Sequence, residues 1–226
     1  MARVTLACKV SAVDRAQVLA AHTSRPRSLL LPPAQISLDR LRDVADWAGE
    51  IPNPHPEDPV AQHIREGARA AAVLLPFVVR PHGLRLLVTR RHRGIRFGGH
   101  ICFPGGRVDP EDNDDIAAAL RETEEETGMP AATVDVLGAM GHYYTQTGYR
   151  IVPVLGIVRE PELARCTDEV EALYELDAAR ILSGAHYNID WYASGRGHIT
   201  YTEGEARVSG PTLSLMTGLH RRLLEL

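Results

Sequence analysis

An unbroken apolar run near the middle of the 226-residue chain does most to restrict the fold. It extends from Ala70 to Val79 and ends at Arg80-Pro81-His82-Gly83, after which Leu84 to Thr89 continues in an apolar pattern. Two apolar runs of this length separated by turn-forming residues predict two buried strands joined by a turn. We therefore predict that one main domain begins at about this point and contains a β-sheet.

Other segments predict further strands and two helices. Strands are predicted around Ile101 and Phe103 and over Val134–Leu137, Tyr149–Val158 and Glu171–Glu175. A helix is predicted from Asp115 to Thr127, with Asp114 as its N-cap and Gly128 at its end, and leucines at helical spacing predict a second helix over Pro211–Leu226. The combination predicts an α/β (α+β) fold in which a mixed β-sheet is sandwiched between α-helices.

Residues 1–66 are predicted to be an N-terminal extension, and residues 67–226 the main domain. Prolines break the helical patterns of the extension, most densely at 52–56. Residues 4–10 are interpreted as a short strand or a mobile chain end. Ser37 can cap a helix that packs on the main domain, with apolar residues at Leu38, Leu41, Val44, Ala45 and Ala48. Two roles for the extension stay open: covering a substrate, or forming a homodimer.

Charge and cysteine content exclude several classes of protein. A net charge of -4 gives no global basic field, so tight binding to long nucleic acid is not expected. Cys8, Cys102 and Cys166 lie too far apart for a zinc site or a disulfide scaffold, which favours a reducing cytoplasm. No apolar run is long enough to span a bilayer. The sequence therefore predicts a cytoplasmic protein that acts on a small molecule.

Three carboxylates share one face of the helix predicted from Asp115 to Thr127. Glu122, Glu125 and Glu126 are related by i, i+3 and i+4, and like charges at these spacings repel each other. We expect a cation there, and hard oxygen ligands favour magnesium or manganese. The alternative is a solvated acidic face with an Arg121–Glu125 ion pair. The preceding Pro104-Gly105-Gly106 favours the metal site, because glycine lets the backbone approach a metal or phosphate closely.

The glycine turn and the acidic helix together carry a family resemblance. Gly106, Asp112 and the run Arg121-Glu122-Thr123-Glu124-Glu125-Glu126-Thr127-Gly128-Met129 resemble the Nudix box, Gly-x5-Glu-x7-Arg-Glu-U-x-Glu-Glu-x-Gly-U, where U is aliphatic. Thr123 stands at the first U position. Asp112 replaces the usual glutamate, and eight residues rather than seven separate it from Arg121. Asp and the extra residue are both typical of the coenzyme A pyrophosphatase branch of the family.

The resemblance implies a Nudix fold and hydrolysis of a pyrophosphate bond in a nucleoside diphosphate derivative, with Mg²⁺ or Mn²⁺ as cofactor. It implies that Glu122 and Glu126 are the principal metal ligands and that the Gly105 carbonyl completes the shell. Glu125 would be a further ligand or a base, and Arg121 would orient the glutamates. These roles are what the family pattern assigns to the matching positions.

The general base has two candidates, because its position varies among Nudix enzymes. One is Glu125. The other is Glu169, since residues 167–170 resemble an acidic loop that follows the box in this branch. The alternative for Glu169 is a surface carboxylate that pairs locally.

Arginines just before the glycine turn are candidates for substrate binding. Arg90, Arg91, Arg93 and Arg96 concentrate positive charge there, and arginine makes bidentate contacts with phosphate. Gly106 is a further candidate. The alternative is a solvated basic loop that balances the acidic helix. Several aromatic residues are interpreted either as the lining of a nucleotide pocket or as ordinary packing residues: His100, His142, Tyr143, Tyr144 and Tyr149.

The coenzyme A branch has a second signature upstream of the box, and this chain matches it in part. The matching positions are Leu86, Leu87, Arg90, Gly99, Phe103, Pro104, Gly105 and Gly106, with Ile101 for Val. Four positions differ: Val88, Arg91, Gly94 and Ile95. Coenzyme A or acyl-coenzyme A, giving 3',5'-ADP and (acyl-)phosphopantetheine, is therefore our first prediction for the substrate. The alternatives are hydrolysis of ADP-ribose or another nucleotide, and a non-catalytic nucleotide-sensing module.

Overall fold

The computed structural model describes residues 31–54, 59–159, 167–193 and 195–226. The helices are α1 (Leu38–Val44), α2 (Gln62–Glu66), α3 (Asp115–Thr127), α4 (Ala178–Ile181) and α5 (Gly210–Leu224). The strands are β1 (Trp47–Glu50), β2 (Arg69–Arg80), β3 (Gly83–Arg91), β4 (Ile101–Cys102), β5 (Gly105–Arg107), β6 (Val134–Tyr144), β7 (Tyr149–Val158), β8 (Val170–Asp177), β9 (Tyr187–Trp191), β10 (Gly197–Glu203) and β11 (Ala206–Ser209).

The main sheet is mixed, as predicted. Its described strands follow the order β1-β6-β7-β2-β3-β4, with β5 paired to β2 and β8 paired to β3. The predicted hairpin of two buried strands is the antiparallel pair β2–β3, and β2 runs parallel to β7 along its other edge. The strand predicted over Tyr149–Val158 has those bounds in the structure.

Helices cover both faces of the main sheet, which confirms the predicted sandwich. On one face, Leu74 and Val154 pack with α3 residues such as Ala118. On the other face, Leu75 and Leu155 pack with α1, α5 and a second, three-stranded sheet in the order β11-β10-β9. The sequence pattern did not predict this second sheet.

The predicted N-terminal helix packs on the main domain, but it is shorter than its apolar repeat. It begins after the N-cap Ser37 and ends at Val44, and Leu41 and Val44 are fully buried. Asp46 then adopts a left-handed conformation with φ 59°, and the chain continues as β1 beside β6. Ala48 therefore lies in a strand and not in the predicted helix. Residues 4–10, Cys8 and Cys166 lie outside the described residues, and the domain boundary at residue 66 stays a prediction.

Three predicted strands have different lengths in the structure. β8 covers Val170–Asp177 and not only Glu171–Glu175. β4 ends at Cys102, so Phe103 is buried without belonging to the strand. β6 continues to Tyr144 instead of ending at Leu137, with irregular register at two points along its pairing with β7. Gly138 and Gly141 have positive φ angles in this strand, and their presence weakens a sequence-based strand signal. Among the described residues, no helix is long and apolar enough to cross a membrane.

Candidate active site

Helix α3 has the bounds that its capping residues predict. The Asp114 side chain accepts a 2.7 Å hydrogen bond from the Ala117 N–H at the start of the helix. At the other end, Gly128 has φ 69° and donates its N–H to the Glu124 carbonyl at 2.8 Å. Glycine takes this left-handed conformation without the steric penalty of a Cβ atom. The two caps fix where each glutamate of the helix lies relative to the sheet.

The buried side of α3 contains polar residues whose hydrogen bonds are made within the helix. Thr123 and Thr127 are buried, and their hydroxyls donate to the carbonyls of Ala119 and Thr123, each at 2.6 Å. A buried hydroxyl with a backbone acceptor avoids most of the cost of desolvation. This explains how Thr123 occupies a position at which an aliphatic residue is usual.

The three glutamates differ in exposure. The Glu126 side chain is only 7% exposed and that of Glu122 is 20% exposed, whereas the Glu125 side chain is 61% exposed. Glu122 and Glu126 lie one helical turn apart, and both carboxylates approach the peptide of Gly105 and Gly106. The structure thus brings together four of the predicted site residues at the start of β5.

A side chain at either glycine of this turn would collide with its neighbours. A Cβ atom on Gly106 would lie 2.3 Å from the Glu122 carboxyl carbon. Gly105 has φ 145°, and a Cβ atom there would lie 2.4 Å from the Ala72 carbonyl oxygen of β2. The absence of side chains at these two positions therefore makes room for the Glu122 carboxylate and for the pairing of β5 with β2.

Glu126 is a buried carboxyl group with two partners. It accepts a 3.2 Å hydrogen bond from the Gly105 N–H and lies 3.3 Å from the Arg91 guanidinium. Burial raises the pKa of Glu126 to about 7, although the Gly105 N–H and Arg91 oppose the shift. Burial likewise raises the pKa of Glu122 above its ordinary value, against its contact with Arg121. Both groups are carboxylates whose negative charge is poorly solvated in the absence of a cation.

Arg121 joins the acidic helix to the loop before it. Its Nε and one terminal nitrogen donate to the two carboxylate oxygens of Asp112, at 3.0 and 2.9 Å. Its other terminal nitrogen lies 3.1 Å from Glu122 and 3.3 Å from Glu125. The Arg121 guanidinium and the Asp109 N–H lower the pKa of Asp112. The sequence motif includes Asp112 but predicts no role for it. In the structure, Asp112 is the carboxylate that holds Arg121 in place.

Arg91 connects the helix to the loop that contains Glu169. Its guanidinium lies 3.3 Å from Glu126 and 3.6 Å from the Glu169 carboxylate. The Thr167 hydroxyl donates to the Glu126 carbonyl at 3.2 Å, and the Glu169 carbonyl accepts from the His92 N–H at 2.7 Å. Glu169 therefore lies beside the glutamates of the helix. Thr167 was missed as a site residue, although a threonine hydroxyl commonly accepts a hydrogen bond from the backbone N–H two residues on, as it does here from Glu169 at 3.4 Å.

The other predicted arginines are not brought to the glutamates. Arg90 precedes Arg91 in β3, and because side chains alternate along a strand it faces the opposite side of the sheet. There it lies 3.3 Å from Glu171 and near the ring of Tyr174. Arg93 also contacts Glu171, at 3.7 Å, and Arg96 lies over the ring of Phe97. Substrate binding by Arg90 and Arg96 stays a prediction.

The residues fit a hard divalent cation. In the parts of the chain that the structure describes, no three acidic, histidine or cysteine side chains form a preformed metal-binding group, and arginines pair with Glu122 and Glu126. Even so, Glu122 and Glu126 present carboxylate oxygens beside a glycine backbone, and carboxylate and carbonyl oxygens are the ligands that magnesium and manganese prefer. Burial raises the pKa of both carboxyl groups, so their charged forms are poorly solvated and a bound cation would stabilise them.

Comparison with known proteins identifies the family. A sequence model of the NUDIX domain matches residues 68–193, which is more than half of the chain. This chain belongs to the Nudix hydrolase family. Among its relatives is a protein of Escherichia coli strain SMS-3-5 named "Uncharacterized Nudix hydrolase NudL", which is 42% identical over 133 residues, covering 58% of this Nudix chain and 69% of the relative. The protein of the same name from strain K12 is 41% identical over the same lengths.

Solved Nudix structures resemble the chain less closely. RenU, a Nudix hydrolase from M. smegmatis, is 24% identical, with a TM-score of 0.44 over 50% of this chain and 73% of RenU. The Nudix domain of Shewanella oneidensis NrtR, solved with ADP ribose, is 16% identical, with a TM-score of 0.46 over 72% of this chain and 93% of that domain.

Proposed function

We propose that this Nudix hydrolase uses Mg²⁺ or Mn²⁺ to cleave the pyrophosphate bond of coenzyme A or acyl-coenzyme A, giving 3',5'-ADP and (acyl-)phosphopantetheine. The main support for this proposal is that the carboxylates of Glu122 and Glu126 lie against the Gly105-Gly106 backbone. Coenzyme A is favoured because Asp112 and the extra residue before Arg121 are typical of the coenzyme A pyrophosphatase branch. A cytoplasmic location, expected from the dispersed cysteines, belongs to the same proposal.

The proposed metal ligands are the carboxylates of Glu122 and Glu126, with the Gly105 carbonyl beside them and Glu125 either as a further ligand or as the base. When bound, the cation would neutralise charge on the diphosphate oxygens and make water easier to deprotonate. Arg121 holds Glu122 in place from one side, because Asp112 fixes the guanidinium with two hydrogen bonds. Arg91 contacts Glu126 and extends toward Glu169, where it would also be available to substrate phosphate.

The reaction adds water across the phosphoric anhydride. The oxygen of a water molecule forms a bond to one phosphorus, the bond from that phosphorus to the bridging oxygen breaks, and the second phosphate leaves with the bridging oxygen. A carboxylate oxygen of Glu125 or Glu169 accepts the proton from the attacking water. Both side chains are 61% exposed, so both are accessible to water, and Glu169 also lies beside Arg91.

The proposal is tested by measuring turnover of coenzyme A, acetyl-coenzyme A, ADP-ribose and a dinucleoside polyphosphate with magnesium or manganese. We expect the wild-type protein to turn over the coenzyme A compounds and Glu126→Gln to lose at least a hundredfold in kcat. Glu124→Gln is the matched control, because Glu124 is an exposed glutamate of the same helix. Turnover of ADP-ribose alone would exclude the coenzyme A assignment, and no turnover of any compound would favour the nucleotide-sensing alternative.

The same assay decides between the two bases. Glu125→Gln and Glu169→Gln are compared across a range of pH at saturating metal. The variant that lacks the base is expected to lose about a hundredfold or more in kcat and to lose the acid limb of the pH profile. Equal, small losses in both variants would show that neither side chain accepts the proton.

A further inference from the structure

A cavity of about 440 Å³ lies on the face of the main sheet opposite to α3. The turn between β6 and β7 contributes Gln146 and Thr147, together with Tyr143 of β6. The β9–β10 hairpin contributes Tyr192, Arg196 and His198, and the first residues of α5 close the wall. This volume lies within the range of about 300–1,000 Å³ that is usual for small-molecule sites.

The lining chemistry favours an anion attached to a planar ring. Arg196 carries positive charge, His198, Gln146 and Thr147 can donate hydrogen bonds, and the described lining residues include no carboxylate. Tyr192 is 54% exposed, and its ring lies 6.5 Å from that of His198. Arginine recognises phosphate with paired donors, and an open tyrosine ring can stack on a nucleobase. A nucleoside phosphate combines both groups in one ligand.

The cavity and the proposed catalytic glutamates lie next to the same short segment. Pro211 of the cavity precedes Thr212, whose hydroxyl donates to the Ile101 carbonyl at 3.0 Å. From Ile101 the chain needs only the next few residues to reach Gly105, a span of at most about 14 Å. In this segment β4 pairs with β3 and β5 pairs with β2, so the sheet divides between Cys102 and Gly105. The cavity and the glutamates therefore lie near opposite ends of this short segment, a separation that an extended nucleotide derivative can span.

We propose that the cavity binds the nucleoside phosphate end of the substrate, with Tyr192 stacked on the base and Arg196 and His198 in contact with phosphate. The diphosphate would then lie beside Glu122 and Glu126. This inference rests on the proposed function, because it states where the nucleotide end of that substrate is held. It assigns to the β9–β10 hairpin a part in choosing the substrate.

The test is binding of adenosine 5'-monophosphate to the full-length protein without metal, measured by calorimetry, for wild type, Tyr192→Ala and Arg196→Ala. We expect each substitution to weaken binding by about tenfold or more. Arg207→Ala is the matched control, because Arg207 is an exposed arginine of the same small sheet that contacts Asp190 and does not line the cavity. Glu126→Gln is expected to bind the nucleotide as wild type does. Thermal melts verify that each variant is folded.

Steady-state kinetics on the best substrate of the panel complete the test. We expect Tyr192→Ala and Arg196→Ala to raise KM about tenfold while kcat stays within about twofold of wild type. Unchanged nucleotide binding in both variants, or no binding by the wild type at millimolar concentration, overturns the inference. Weakened binding in a protein that hydrolyses nothing supports the cavity assignment and refutes the proposed hydrolysis. Normal turnover with an unchanged KM in both variants refutes the assignment of the nucleotide to the cavity and leaves the proposed hydrolysis standing.

Discussion

Replacing Gly106 by alanine should impair catalysis much more than stability. The added Cβ atom would lie 2.3 Å from the Glu122 carboxyl carbon and one of its oxygens, and 2.5 Å from the other oxygen. Ordinary contacts of a Cβ atom are 3.4 Å or longer, so the carboxylate must move by roughly 1 Å or more. The group that must move is the end of a flexible side chain, and the fold can therefore accommodate the change at small cost.

The expected loss of activity follows from that displacement. A shift of about 1 Å in a catalytic group can lower the rate by about a hundredfold, which corresponds to roughly 3 kcal/mol in the activation free energy. The expected loss of stability is below about 1 kcal/mol, since the three atoms nearest to the added Cβ atom all belong to the flexible end of the Glu122 side chain. The two effects should therefore separate clearly in one variant.

The assay measures kcat with saturating magnesium, together with the melting temperature. Gly67→Ala is the matched control: Gly67 has φ -93°, and a Cβ atom there would lie 3.5 Å from its nearest neighbour, which is an ordinary contact. We expect the control to keep wild-type activity. Wild-type kcat in Gly106→Ala would refute the assignment of Glu122 to the catalytic site, and a large fall in melting temperature would refute the claim that the clash is relieved locally.

Three further predictions concern α3 and the loop before it. The folded-state pKa of Glu126, about 7, exceeds the ordinary 4.5, so metal-free wild type should lose stability as pH rises from about 4.5 to about 7, whereas Glu126→Gln should keep only the contribution of Glu122, whose pKa is also raised. In metal-free chemical denaturation above pH 7, the variant should be more stable by up to about 3 kcal/mol, and equal stability at every pH would contradict this. Asp112→Asn should lower kcat by about ten- to a hundredfold in a turnover assay, because Arg121 loses the carboxylate that holds its guanidinium with two hydrogen bonds. Gly128→Ala should destabilise the protein by about 1–2 kcal/mol in chemical denaturation, because φ is 69° there.

The parts of the fold with strong local signals were predicted from sequence. The bounds of α3 follow from Asp114 and Gly128, which cap the helix through contacts within a few residues of its ends. The β2–β3 pair follows from two apolar runs and the turn between them. Such signals need no knowledge of distant partners. Helix geometry is local in the same way, so the i, i+4 spacing of Glu122 and Glu126 predicts that both carboxylates lie on one face of α3, as they do beside Gly105 and Gly106.

The second sheet was missed because its strands are stabilised by distant partners. Tyr187 and Ile189 of β9 are buried and alternate with exposed residues, which is a strand pattern, but the strand has only five residues. Tyr187 is buried against Tyr201 and His220, and the latter lies in α5. A short alternating segment becomes a strand only when such partners cover it. The cavity residues Tyr192 and Arg196 lie at the end of this hairpin and were missed for the same reason.

The sequence could not decide which arginine reaches the glutamates. Arg90 and Arg91 are adjacent in β3, so they point to opposite faces of the sheet, and one shift in register would exchange their roles. The observed register pairs Arg90 with Ala172 and Arg91 with Val170, which leaves Glu171 as an extra residue on β8. Glu171 then contacts Arg90, whereas Arg91 faces Glu126. The choice is made by strand pairing over about eighty residues of chain, and no local pattern encodes it.

The two unusual features of the box are linked by one contact. Asp112 holds Arg121 with two hydrogen bonds and also accepts the Asp109 N–H at 2.8 Å. An aspartate side chain is one methylene shorter than glutamate, so the loop backbone must come closer to the guanidinium than it would with glutamate. The extra residue between Asp112 and Arg121 supplies chain for that approach before Asp114 begins the helix. The shorter acid and the longer spacing therefore compensate each other, and the position of Arg121 beside Glu122 is kept.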